Sequence, residues 1–229
     1  MSNTRATRLR AKSSARRAQQ KVEVRGAILD AASELFLEGG LAGFSLRGVA
    51  ERVGYSATTV YLYFENKDDL LFAVSLEGFE GFGRALQAAY DGTTDPVERI
   101  GAIGRAYVAF GTSHPAHYRL MFMERGEFLA RTNPRDQKPT VDSFGILVRA
   151  VHEAHAAGRV RAGEPMSLVH TLWAGVHGLV ALALCVPVSS EGDLGQGDLG
   201  QGDLGQGDLG RRTEHLLNTL YRGFVKETG

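Results

Sequence analysis

Within the 23 residues from Ser45 to Lys67 the chain reads S-L-R-G-V-A-E-R-V-G-Y-S-A-T-T-V-Y-L-Y-F-E-N-K. Hydroxyls stand on Ser45, Ser56, Thr58, Thr59, Tyr61 and Tyr63, cations on Arg47 and Lys67, and a bare methyl on Ala57. Small hydroxyls bond to base edges or phosphates, a methyl touches thymine, and a tyrosine hydroxyl reaches a phosphate oxygen. Between Ser56 and Phe64 no side chain is charged, so a helix there can approach a polyanion without repulsion. This is the chemistry of contact with duplex DNA.

Two short helices must position these groups. Leu46, Val49, Ala50 and Val53 recur at i, i+3, i+4 and i+7, with Ser45 placed as N-cap. Ala57, Val60, Tyr61 and Phe64 repeat the spacing, with Ser56 as cap. Tyr61 lies on this repeat and is also taken as a contact. Gly54 and Tyr55 form the turn between them. A glycine-containing turn joining two short helices is the pattern of a helix-turn-helix, whose second helix enters the major groove. Two ordinary capped helices of an all-α core would share this spacing.

The run T-V-Y-L-Y-F-E-N-K-D-D-L-L resembles the end of the DNA-binding domain of tetracycline-repressor (TetR) family regulators. The upstream segment I-L-D-A-A-S-E-L-F-L-E-G-G-L-A-G-F-S-L-R-G-V-A-E-R-V-G is similar to that family's first two helices, so the resemblance covers about Arg25 to Leu71. It implies an all-α protein. An N-terminal three-helix helix-turn-helix DNA-binding domain (22–67) would precede a C-terminal helical ligand-binding and dimerisation domain (68–229). It also implies that Arg25, Arg47 and Lys67 approach phosphates; for Arg25 and Arg47 a merely solvated arginine is the competing reading.

Charge is balanced over the whole chain but not along it. Residues 1–25 carry eight Lys and Arg against Glu23 alone, a net +7 that leaves −7 for the rest. Residues 1–21 are expected to be a basic arm, disordered alone and partly ordered on DNA, that neutralises phosphates or reaches a minor groove. A transit peptide would need an apolar face, and Leu9 and Val22 are too few to make one. The first helix is expected over Val24 to Gly40. Ile28, Ala31, Ala32, Leu35 and Phe36 form its stripe, and Gly39-Gly40 ends it.

A long helix is expected from Asn66, its cap, to Tyr90. Gly78, Gly81 and Gly83 within it weaken it by roughly 1 kcal/mol each against alanine and imply close packing or a bend. By resemblance it connects DNA-binding and ligand-sensing domains. Further helices are expected from Pro96 to Thr112, from Pro115 to Met123 and from Thr140 to Ala157. Pro165 to Ser190 holds no Asp, Glu, Lys or Arg. It is long enough to span a bilayer, but its histidines, serines and glycines fit a helix buried on one side and paired on the other. Within it, L-W-A-G-V-H-G-L (172–179) resembles a Trp-His-Gly (WHG) subgroup of the family. Gly-Asp-Leu-Gly then recurs at 192–195, 197–200, 202–205 and 207–210, and residues 189–210 are expected to form a flexible surface loop. The last helix is expected over Arg211 to Lys226. By resemblance the 165–187 and 211–226 helices form a homodimer.

Other chemistry finds little support. His114/His117, His152/His155 and His170/His177 have face-sharing spacings but no third ligand fixed by spacing, so no metal site is expected. Cys185 stands alone, and no phosphate-binding glycine loop or serine elbow occurs. Neither an enzyme nor a cofactor is expected. The resemblance implies a cytoplasmic homodimeric repressor, bound to a near-palindromic operator in double-stranded DNA and released by a small molecule. Phe110, Tyr118, Met121, Trp173 and His177 are the candidate ligand-lining residues, with plain core packing as the alternative for each. A DNA-binding protein without a ligand, architectural or membrane-tethered, is the competing function.

Overall fold

The computed structural model describes residues 2–124, 139–161, 163–185 and 206–226, with side chains from Lys12 and, in the last helix, from Leu209. Of the expected loop 189–210, residues 189–205 lie outside the described residues. The helices are α1 (Ser2–Gly43), α2 (Leu46–Val53), α3 (Ala57–Tyr61), α4 (Lys67–Asp91), α5 (Pro96–Ser113) and α6 (Pro115–Tyr118). A π-helical turn (Arg119–Met123) continues α6, and α7 (Ser143–Ala156), α8 (Pro165–Cys185) and α9 (Gln206–Phe224) follow. Among the described residues the β pairing is one isolated bridge, Val160 to Val225. The all-α expectation holds.

The chain divides into two compact units, Met1–Glu77 with Arg119–Gln137, and Gly78–Tyr118 with Lys138–Gly229. In the first, Ile28, Ala32, Phe36, Val49, Val60, Leu70, Leu71 and Val74 are fully buried. Each such large side chain contributes roughly 1.5–3 kcal/mol on leaving water. The caps read from sequence are formed. Ser45 Oγ accepts from Gly48 N–H at 3.1 Å, and Ser56 Oγ from Thr59 N–H at 3.1 Å. Asn66 Oδ1 accepts from Asp69 N–H at 2.9 Å. Gly54 closes α2 with φ +71°, a left-handed conformation that favours glycine.

Helix α1 departs from expectation at both ends. It begins at Ser2, so the basic arm, expected to lack order, is helix. The physical reason is propensity: Ala, Arg, Lys and Gln dominate 5–21, with neither Gly nor Pro among them. Gly40 takes φ +58°, as foreseen, but the helix kinks there and resumes to Gly43.

In the second unit, α5 packs against α7, α8 and α9. Its glycines are the reason it can. A Cβ on Gly104 would lie 2.7 Å from Leu217 Cδ2, and one on Gly111 would lie 2.6 Å from Val180 Cγ1. The α4 glycines likewise serve close packing. A Cβ on Gly83 would meet Val141 Cβ at 2.7 Å, and one on Gly81 would meet the Phe110 ring at 3.3 Å. The C-terminal end of α4 is gripped at Tyr90, whose ring lies between the guanidinium groups of Arg99 (4.4 Å) and Arg149 (4.1 Å). Its hydroxyl donates to Glu153 at 2.6 Å. The last helix starts at Gln206 rather than Arg211, so the fourth Gly-Asp-Leu-Gly copy is its first turn. Thr213 Oγ1 donates back to the Leu209 carbonyl at 2.7 Å.

Candidate functional site

Helix α2 holds α3 from behind. Val60 is fully buried and Phe64 nearly so, while Thr58 is exposed. Ser56, Ala57 and Thr59 occupy the N-terminal tip. Ser56 and Thr59 share a hydroxyl contact of 2.8 Å, so these two groups are already oriented by each other. Tyr63 is half-buried rather than fully outward.

Tyr61 departs from its place on the apolar repeat: it is 52% exposed. Helix α3 ends there, and Leu62 (φ −71°, ψ −19°) leads into a turn closed by Tyr63 N–H on Val60 O at 3.0 Å. A helix of one and a half turns is too short for spacing to decide a face. Leu62, 78% exposed, and Tyr55, 42% exposed, were not among the sequence candidates and stand on this unit's surface.

The cations expected at phosphates are free to meet them sterically. Arg47 and Lys67 are exposed, in the first turns of α2 and α4. Arg25 is exposed too, with its guanidinium 5.5 Å from the centre of the Phe64 ring, so α1 and the end of the α3 turn are joined at this point. Arg52, by contrast, is committed within the protein. It meets Glu38 with two bonds of 2.7 and 2.6 Å and lies 3.5 Å from Glu34. The Arg52 hydrogen bond holds the Glu38 carboxyl below the ordinary carboxylate range.

A second constellation lies in the other unit. Tyr107 Oη, Tyr118 Oη and His177 Nδ1 form a triangle: 3.1 Å between the phenols, 2.6 Å from Tyr118 to the nitrogen and 3.2 Å from Tyr107. Burial pushes both phenols up and His177 down, so the neutral forms are favoured. One assignment satisfies all three. Tyr118 donates to Nδ1, Tyr107 donates to Tyr118 Oη, and Nε2 carries the ring proton. Phe82 stands edge-on to Tyr107 at 5.1 Å and tilted against Phe110 at 5.3 Å, and Trp173 lies 6.1 Å from His177. The structure thus gathers four of the five proposed ligand residues, Phe110, Tyr118, Trp173 and His177, in one unit. Met121 is fully buried but belongs to the first unit, as part of the π-helical turn. Tyr107 was missed because, at sequence level, it lies in the apolar stripe of α5.

Among the described residues no three His, Cys, Asp or Glu are grouped to hold an ion. His114 instead stacks on Phe110 at 4.5 Å and pairs with Ser113 Oγ at 2.9 Å. Helix α8 is long and apolar enough to cross a membrane, yet it packs on α5, α7 and α9.

Comparison with known proteins agrees with this geometry. Residues 28–74 match the family model described as bacterial regulatory proteins of the tetR family. Residues 100–194 match the model described as a tetracyclin repressor-like C-terminal domain. The chain is 32% identical over 146 residues to the transcriptional activator FasR of Mycolicibacterium smegmatis, covering 62% of this chain and 67% of that protein. It is 25% identical over 194 residues to the transcriptional regulator Rv1816 of Mycobacterium tuberculosis, 73% of this chain and 82% of the other. Among solved structures, a TetR-family regulator from Marinobacter aquaeolei shares the fold with a TM-score of 0.62 at 18% identity, over 92% of this chain and all of that one. A second solved structure, described as the molecular basis for control of antibiotic production by bacterial hormones, has a TM-score of 0.66 at 24% identity over 90% of this chain and 99% of that one. The finer Trp-His-Gly resemblance rests on its motif alone. Capped helix-turn-helix, helical C-terminal unit and both family matches agree: the chain belongs to the TetR family of transcription regulators and is a DNA-binding protein, not an enzyme.

Proposed function

We propose that the protein is a homodimeric repressor that binds a near-palindromic operator and is released by a small molecule. The observation that carries the DNA half is α3 itself, capped at Ser56, anchored by Val60 and exposing Thr58 and Tyr61. In this reading Ser56, Ala57, Thr58, Thr59, Tyr61 and Tyr63 face the bases and nearby backbone. Ser45, Arg25, Arg47 and Lys67 hold phosphates.

The dimer reading is supported by the outer face of α8. Leu182 is 59% exposed, with Ala174 and Cys185 also open on that side of the helix. Gly175 lets α9 come close, since a Cβ there would be 3.3 Å from Leu220. A second copy would cover this apolar strip and place two recognition helices on half-sites about 34–36 Å apart.

The effector reading rests on the Tyr107–Tyr118–His177 triangle inside its aromatic surround. A few oriented polar atoms among aromatic rings suit an apolar ligand with one hydrogen-bonding end. Helix α4 is unbroken from Lys67, at the DNA-binding end, to Asp91 in the sensing unit, so it is the element through which the ligand acts. The ligand must favour the DNA-free state by about 1–3 kcal/mol. A cytoplasmic site of action follows from the DNA partner.

Selection of bound sequences from a random duplex library with the purified chain tests the reading. Recovery of a two-fold related motif is expected; failure to enrich any duplex would end it. FasR is named as an activator, which supports the opposite regulatory sign. A reporter downstream of the selected site decides between the two.

A further inference from the structure

The basic arm is helix, and the cations described on it, from Lys12 to Arg25, fall on two flanks. Lys12 and Arg16 lie on one flank, Arg17, Lys21 and Arg25 on another, about 160° apart at 3.6 residues per turn. Between them, on one side, runs a slim front of Ala15, Ala18 and Val22. Lys12, Ala15, Arg16, Arg17, Ala18 and Lys21 are all exposed, and Val22 is 66% exposed. The described acid here is Glu23, beside Gln19, which donates to it at 3.0 Å. The second flank runs without a break into the DNA-binding core, because Arg25 is both its last member and the residue lying over Phe64.

We infer that the N-terminal half of α1 is a second DNA-binding element, a helix that lies along the groove flanking the operator with a basic flank toward each phosphate strand. This rests on the DNA-binding reading above. A helix about 10–12 Å across matches the major groove, about 12 Å wide, and not the minor groove, about 6 Å wide. The minor-groove role expected for a disordered arm therefore does not suit it. Alanine methyls on the front face allow close approach to base edges and thymine methyls. An anionic membrane would require a broader apolar face than two alanines and a valine supply. A helix exposed all round has no tertiary packing to hold it, and phosphates on both sides provide the missing partner.

The test uses the full chain and duplexes recovered by random-library selection, with hydroxyl-radical footprinting and titration at several salt concentrations. Residues 12–25 span about 20 Å of helix, so about six base pairs beyond each half-site should be protected. The variant K12A/R16A/R17A/K21A keeps helix propensity. It should lose the flanking protection, keep the central footprint and lower the log–log salt slope by about 7, for four cations on each of two protomers. The variant Ala18→Pro keeps every charge but breaks the helix, and should lose the flanking protection as well. Unchanged flanks and slope in the fourfold variant would overturn the inference. Flanking protection that survives Ala18→Pro would overturn it too, since an unstructured cationic tail would then suffice. A chain that binds no duplex at all would instead refute the functional reading beneath it, and the central footprint distinguishes the two failures.

Discussion

Tyr118 Oη lies 2.6 Å from Nδ1 of His177, across 59 residues of sequence, with Tyr107 Oη within 3.2 Å of both. Tyr118 is fully buried. Removing its hydroxyl takes away the shorter of the two phenol contacts to the imidazole nitrogen, 2.6 Å against 3.2 Å from Tyr107. Tyr118→Phe is expected to destabilise the chain by about 1–2 kcal/mol, read as a lower urea midpoint at unchanged slope. An unchanged midpoint would mean the triangle holds nothing together.

The same triangle makes stability depend on pH. Burial lowers the His177 pKa from 6.5 in the folded chain. As pH falls below about 6.5, the unfolded state takes up a proton that the folded state refuses, so stability is lost toward the folded pKa. Thermal melts from pH 7.5 to 5.5 should fall less steeply for His177→Gln than for the parent. Parallel curves would show that His177 titrates normally.

Glycines on α5 should respond in opposite fashion to one on α1. Gly104→Ala forces a methyl to 2.7 Å from Leu217, and Gly111→Ala to 2.6 Å from Val180. Each should destabilise by about 1–3 kcal/mol. Gly26, inside α1, has nothing within 4 Å of an added Cβ. Gly26→Ala should stabilise by about 0.5–1 kcal/mol. Chemical denaturation of the three variants checks both signs.

On DNA, Lys67 and Thr58 should separate. Lys67→Ala is expected to weaken all duplexes alike and reduce the salt slope by about 1.8, one contact in each half-site. Thr58→Ala should leave the slope alone and relax preference at one base pair, by about 1–3 kcal/mol of discrimination at most. Competition titrations against point-mutated selected sites measure this. A uniform loss for Thr58→Ala would place it on the backbone.

How far the chain could be read from its letters differs by element. The helix-turn-helix was legible because Ser45, Gly54 and Ser56 punctuate an apolar repeat, and caps depend on near neighbours alone. Tyr61 was not, because a five-residue helix samples its period barely once. The extension of α1 to Ser2 escaped notice because it has propensity but no apolar stripe, and periodicity is blind to a helix that buries nothing. Tyr107 was hidden by its own chemistry: a tyrosine on an apolar face reads as core until its partner, 70 positions later, is found beside it.

The turn Arg119–Met123 belongs with the N-terminal unit: Leu120 and Met121 are fully buried, and the Arg119 guanidinium lies 5.2 Å from the Phe36 ring centre. A gene fragment cut after α4 would therefore encode an incomplete domain. Anyone building a hybrid biosensor by swapping its downstream half onto another promoter-binding head must carry these five residues with the head, or redesign the surface they leave bare. The splice point is not a single place in the polypeptide.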